Sequence, residues 1–181
     1  MTDSERLTFE DYTPDHAEED LVIHADPEVM RFLGGVQHTT VEAMREHLTY
    51  IANKYRAYRE RGLPYVAWAV REKAGGALVG TGLLKPLPDG DGVDTEHIEV
   101  GWHLGRAWWG RGYATELGHA LVARGFRTLP VDTLHVVTEI GNVRSEAVAK
   151  RLGMTYQGRS DAWYGNTVEH YTLARAAWAS R

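Results

Sequence analysis

The spacing of apolar and polar positions changes several times along this chain, and each change marks an element. Over residues 97–104 the alternation is twofold. Ile98, Val100, Trp102 and Leu104 fall on one side and His97, Glu99, Gly101 and His103 on the other, which predicts a strand with one apolar face. Helical spacing governs longer stretches. Ala43, His47, Leu48, Ile51 and Tyr55 predict a helix from a Thr40 cap to about Arg61, closed by Gly62. Tyr113, Leu117, Leu121 and Val122 predict another, running to about Phe126. Asn142 caps a third, with Val143, Ala147, Val148 and Leu152 turned inward and Gly153 ending it.

Shorter helical segments are expected over the acidic stretch Pro14–Asp20, continuing into Leu21, Val22 and Ile23. Another is expected over Asp26–Phe32, with Asp26 as cap, Pro27 at the first position and a stop at Gly34-Gly35. The β-rich runs Tyr65–Arg71 and Ala77–Leu84 flank a hairpin turn at Lys73–Gly76, while Pro86–Asp94 reads as a loop. Thr133–Thr138, Met154–Arg159 and Val168–Leu173 complete the strands. This order of elements predicts a mixed α/β fold around one sheet, in a single domain over residues 1–181.

Composition removes several classes of function. The chain is 43% apolar, yet no apolar run approaches the roughly 20 residues of a membrane span. The polar, acidic stretch Met1–Asp20 is not a secretory signal. Cysteine is absent, which excludes disulfides, thiolate metal sites and cysteine nucleophiles and fits a cytoplasmic setting. The formal charge is −5, from 25 acidic and 20 basic residues, with no basic stripe for nucleic acid. An acidic balance tilts slightly toward cationic ligands such as amines, and equally serves solubility.

Chemistry concentrates at Trp108-Trp109-Gly110-Arg111-Gly112-Tyr113-Ala114, where the alternating strand turns into a helix. The first amides of a helix have no intrahelical acceptor, and the positive end of its dipole lies there. Glycines let backbone approach an anion closely, so this turn suits a phosphate or pyrophosphate, with Arg106 and Arg111 adding charge. A P-loop pattern is absent. A dinucleotide fingerprint gains Gly110, Gly112 and the distant Asp132, but puts Thr115 where helix–strand packing wants glycine or alanine. The turn by itself leaves a plain structural turn, a dinucleotide site and another phosphate site open. His97 with Glu99 does not make a metal site, because two donors on one strand are too few. The tryptophans Trp102, Trp108, Trp109, Trp163 and Trp178 fit core or cofactor-wall positions better than a base-stacking platform.

The sequence around the turn closely resembles the cofactor motif of the GNAT superfamily of N-acetyltransferases. The resemblance covers His97–Leu104 followed by Trp109–Glu116, and is strongest to the branch of ribosomal-protein N-terminal acetyltransferases. Glu5–Phe9 resembles that branch's first strand and Asp26–Gly34 its early helix. Asn142–Ser145, ending in Arg151–Met154, resembles its second cofactor helix. The resemblance implies a mostly antiparallel sheet with a V-shaped splay between two central strands, acetyl-CoA as co-substrate and no metal. It also implies direct attack by a primary amine, either a protein N-terminus or a small molecule, with no nucleic acid or membrane as partner. A homodimer is among the arrangements open to such a domain.

Residue by residue, the resemblance makes Glu99, in an E-x-G position, the base that deprotonates the amine, with His103 able to assist. It assigns Trp102, His103 and Leu104 to pantetheine through their backbone. The turn residues Arg106, Trp109, Gly110, Arg111, Gly112, Tyr113 and Ala114 go to pyrophosphate, Asn142 to CoA, and Ser145 to both CoA and the departing thiolate. Two departures stand out. Ala107 replaces the usual Gln or Arg before the turn, shifting the grip to backbone amides, and Ala149 replaces the usual tyrosine acid. Tyr156 and Tyr164 are alternative acids. Ala149 also leaves open a non-catalytic acyl-CoA-binding regulatory module.

Overall fold

The strands form where β-branched and alternating runs predict them, and several reach further than the apolar pattern alone suggests. The computed structural model describes residues 4–34 and 37–180. Strand β1 is Leu7–Asp11, β2 Val66–Glu72, β3 Leu78–Pro88 and β4 Asp94–Leu104; β5 is Thr133–Glu139, β6 Thr155–Trp163 and β7 Asn166–Ala174. They make one sheet in the order β1-β2-β3-β4-β5-β7-β6. Every neighbouring pair is antiparallel except β4 and β5. A parallel pair needs a crossover, and the helix α4, Tyr113–Thr128, supplies it.

That parallel pair is short. Only Ile98↔Leu134 and Glu99↔His135 are in register, and beyond Glu99 the two strands part while β4 keeps β3 as far as Leu104. The expected splay therefore lies immediately after Glu99.

The helices cover the sheet unevenly. α4 lays Leu117, Leu121, Val122 and Phe126 on one face, against Leu84, Val100 and Leu134. α5, Val143–Arg151, joins the same side, with Val148, Ala149 and Leu152 in that core. A Cβ on Gly118 would sit 2.7 Å from the Leu152 side chain, so this glycine lets α4 and the end of α5 meet closely. On the other face α1, Ala17–His24, and α3, Val41–Glu60, bury Ile23, Met44, Leu48 and Tyr55 over Ala67 and Ala69. The short helix α2, Pro27–Met30, carries Val29 into that core, and α6, Arg175–Ala179, closes the described chain. No described helix is long and apolar enough to cross a membrane.

The expected caps form. Thr40 accepts from the Ala43 amide, Asp26 from Glu28 and Asn142 from Ser145. Gly34 lies just past α2 as expected, while Gly35 is outside the described residues. Three expectations are corrected. Pro86–Asp94 is a loop only over residues 89–93, because β3 continues through Pro86 and Pro88 at a register irregularity that tolerates the missing N–H donors. β6 and β7 extend to Trp163 and back to Asn166, meeting in a two-residue turn. Val143 is 69% exposed rather than inward, since it starts α5 beyond the edge of the core.

Candidate active site

A cleft of about 1710 Å³ runs along β4, from the splay to the start of α4. This exceeds the roughly 300–1,000 Å³ of an ordinary small-molecule pocket, so two ligands can share it. Lining it are Glu99, Trp102, His103, Leu104, Trp109, Gly110, Gly112, Tyr113 and Ala114 from the predicted set, with Asn142 and Ser145 from α5.

The turn into α4 is pinned from both sides. The Trp109 indole N–H donates to the Leu104 carbonyl at 2.8 Å, and the Gly105 amide to Val79 at 2.9 Å. Arg6 bridges β1 to the turn. It pairs with Glu116 at 2.7 Å, donates to the Arg111 carbonyl at 2.9 Å and stacks on the Tyr113 ring at 4.4 Å. Gly110 and Gly112 take φ of 74° and 81°, a left-handed conformation that opposes any Cβ. Gly112 is the N-cap and offers no capping side chain. The Trp108 and Trp109 amides are used inside the turn, on the Gly105 and Arg106 carbonyls, and the Glu116 amide opens the helical ladder on the Gly112 carbonyl. The amides between Trp109 and Glu116 lie at the positive end of a 16-residue helix, an arrangement able to bind an anion.

The arginines are placed differently from expectation. Arg106 is turned away to an ion pair with Asp26 at 2.9 Å, and Arg111 packs on Trp108 at 5.2 Å. Neither lines the cleft, whereas Arg144, stacked on Trp109 at 4.6 Å, does. Arg144 escaped sequence reasoning because nothing local predicts a cation–π partner 35 positions away. On α5, the Asn142 side-chain oxygen accepts from the Ser145 amide at 3.2 Å, leaving its NH₂ group for a ligand. Ala149 is fully buried and offers the cleft no polar atom.

At the splay, Glu99 is 7% exposed, so it is not a plain surface carboxylate. Its Oε2 pairs with Lys85 Nζ at 2.9 Å and accepts from the Tyr164 hydroxyl. Burial, and then the Glu99 charge, push the Tyr164 hydroxyl well up, so it stays protonated and donates. His103 faces the same side as Glu99 but sits deep, with its Nε2 buried and unpartnered and its ring 5.1 Å from His24. Burial, then His24 and His47, lower it to about 3, so it is neutral at pH 7 and is a weak base there. Tyr156 is removed from the site by its hydrogen bond to Glu169 at 2.5 Å. His97 packs edge-on against His135 and Trp163, at 4.9 Å from each.

The family model for an acetyltransferase (GNAT) domain matches residues 6–155. The chain is 26% identical to protein YkkB of Bacillus subtilis over 76% of this chain and 74% of that one. It is 29% identical to the FsC-acetyl coenzyme A-N(2)-transacetylase of Aspergillus fumigatus over 78% of this chain and 59% of the relative. A shorter stretch, 44% of this chain and 46% of the relative, is 27% identical to the putative ribosomal N-acetyltransferase YdaF of Bacillus subtilis. Among solved structures, a probable acetyltransferase superposes with a TM-score of 0.78 at 21% identity, covering 98% of this chain and 97% of that one. The ribosomal L7/L12 alpha-N-protein acetyltransferase RimL, in complex with coenzyme A, reaches 0.74 at 18% identity, covering 96% and 97%. The fold, the splayed central strands and the family match agree: this chain is an acetyltransferase of the GNAT family.

Proposed function

We propose that this enzyme moves an acetyl group from acetyl-CoA to a primary amine, with Glu99 as the base. One observation carries the reading. A single strand, β4, presents a buried carboxylate where the sheet splits and, at its other end, leads into a helix start whose amides lack intrahelical acceptors.

The residues present fit a CoA thioester. The amides at the start of α4 suit the pyrophosphate, with Arg144 and the Asn142 amide alongside. The backbone of β4 after Glu99, unpaired on the β5 side, suits pantetheine. Its grip centres on Trp102 and His103, because the Leu104 carbonyl is already taken by Trp109. The cofactor supplies the activated acyl group. Glu99 removes a proton from an amine that is mostly protonated at pH 7, and Ser145, lining the cleft on the first turn of α5, steadies the departing sulfur by a hydrogen bond. Similarity to YdaF and RimL favours a protein N-terminus as acceptor over a small amine.

The test is release of free thiol from acetyl-CoA across a panel of peptides with free N-termini, polyamines and amino acids. Turnover with at least one amine is expected. Tight CoA binding without turnover for any of them would replace this reading with the non-catalytic acyl-CoA-binding module that Ala149 suggests.

A further inference from the structure

Glu99 is held by one oxygen only. Lys85 lies directly opposite it in the β3–β4 register, and both Lys85 and the Tyr164 hydroxyl converge on Oε2. Lys85 Nζ also donates to the Tyr164 oxygen at 2.7 Å, so the three groups touch mutually. The second oxygen, Oε1, points along the strand. A Cβ built on Gly101 would stand 3.5 Å from it and 3.4 Å from Leu83. Gly101 therefore keeps open a gap beside Oε1, in the lining of the cleft.

Tyr164 reaches this position from the turn between β6 and β7, and is the one described non-glycine residue with positive φ, at 57°. With Gly165 at 68° it forms a two-residue primed turn. A tyrosine is a poor choice for a left-handed position, where Asn or Gly would sit without strain. Its amide donates to the Pro88 carbonyl at 3.2 Å, and a Cβ on Gly165 would meet the Gly90 carbonyl at 3.3 Å, so the turn is seated against the β3–β4 loop. The side chain, not local backbone preference, accounts for tyrosine here.

We propose that Lys85 and Tyr164 are positioning residues that fix the Glu99 carboxylate through Oε2, and that Oε1 is the atom that takes the proton from the acceptor amine. This rests on Glu99 acting as the base. The other titratable groups around Glu99 are Tyr55 from α3, His135 across from it on β5 and His97 two residues along β4. Among the described residues, no other lysine or arginine joins these groups beside Lys85.

The test compares Glu99→Gln, Tyr164→Phe and Lys85→Met in the full chain, reading kcat against pH, CoA affinity and melting temperature. Tyr164→Phe keeps the turn and removes only the hydroxyl, the donor to Glu99 and the acceptor for Lys85. Tyr164→Phe and Lys85→Met should each lower kcat about 10-fold and move the acid limb of the profile to higher pH, because the carboxylate anion has lost a donor or a counter-charge. CoA affinity should stay within about 2-fold, and Lys85→Arg should restore most of the rate. If Glu99→Gln abolishes turnover but neither partner variant moves the profile, and only melting temperature falls, the trio is a clip for the hairpin and this proposal is overturned. If Glu99→Gln turns over like the native enzyme, the base assignment itself fails and the proposal with it.

Discussion

The two ends of the cleft are built in opposite ways. The cofactor end comes from consecutive residues, Gly105 to Thr115, in which a strand breaks, two glycines turn and a helix begins. In the proposed reading its recognition elements are mostly backbone amides, indifferent to which side chains surround them. The acceptor end joins Lys85 from β3, Glu99 from β4 and Tyr164 from the β6–β7 turn, the last two 65 positions apart. There the proposed chemistry resides in side chains, which meet only once the register is set. A site of the first kind announces itself as a motif; a site of the second kind emerges only when the elements that carry it are brought together.

That contrast can be broken from either end. Glu99→Gln should cause the largest loss, lowering kcat by about 10²-fold or more with CoA affinity nearly unchanged, in a thiol-release assay beside calorimetry. Gly112→Val should give the reverse pattern. A β-branched residue at φ 81°, with its Cβ 3.3 Å from the Arg6 guanidinium, must reshape the turn. CoA binding should weaken by roughly 10-fold or more, while α4 stays packed through Leu117 and Leu121. Equal loss of CoA affinity in both variants would erase the distinction between the ends.

Smaller effects concern stability. His103 is lowered to about 3 and His135 to about 4, burial being the first cause for each. The unfolded chain takes up protons near pH 6.5, where the folded chain refuses them. Stability from these groups is therefore complete above about pH 6.5 and declines as pH falls toward 4. Melting temperature should drop by a few degrees between pH 7.5 and 5, and His135→Asn should flatten that decline. Smallest of all, Asn142→Ala should cost about 1 kcal/mol of stability by removing the α5 cap, while Asn142→Asp preserves it, as read by denaturant unfolding.

Much of the fold and the glycine turn into α4 were legible in the sequence, because they depend on local rules. The alternation of residues 97–104, the caps at Thr40, Asp26 and Asn142 and the glycine pair at 110 and 112 each act within a few residues. Pro86 and Pro88 misled because prolines ordinarily end strands, and only the β3–β4 pairing shows that their missing donors are not needed. Arg106 suggested an anion contact by proximity alone, whereas Asp26, from a different element, claims it. The pairing of Tyr164 with Glu99 could not be read at all. Tyr164 is an unplaced candidate acid until the sheet order brings β7 beside β5, with β6 outside it, and seats the turn against the β3–β4 loop.

The brief contact between β4 and β5 has a further consequence. Past Glu99 the sheet carries, in its middle, the kind of unsatisfied edge that proteins usually confine to their rims. A ligand laid into that opening, as proposed for pantetheine, would serve as a surrogate strand. It should then behave as a component of the folded structure as much as a reactant. At a free concentration 100 times its Kd, such a ligand adds about 2.7 kcal/mol to the stability of the native state. The enzyme's resistance to unfolding would then follow the acetyl-CoA supply around it, linking its lifetime to the availability of its proposed acyl donor.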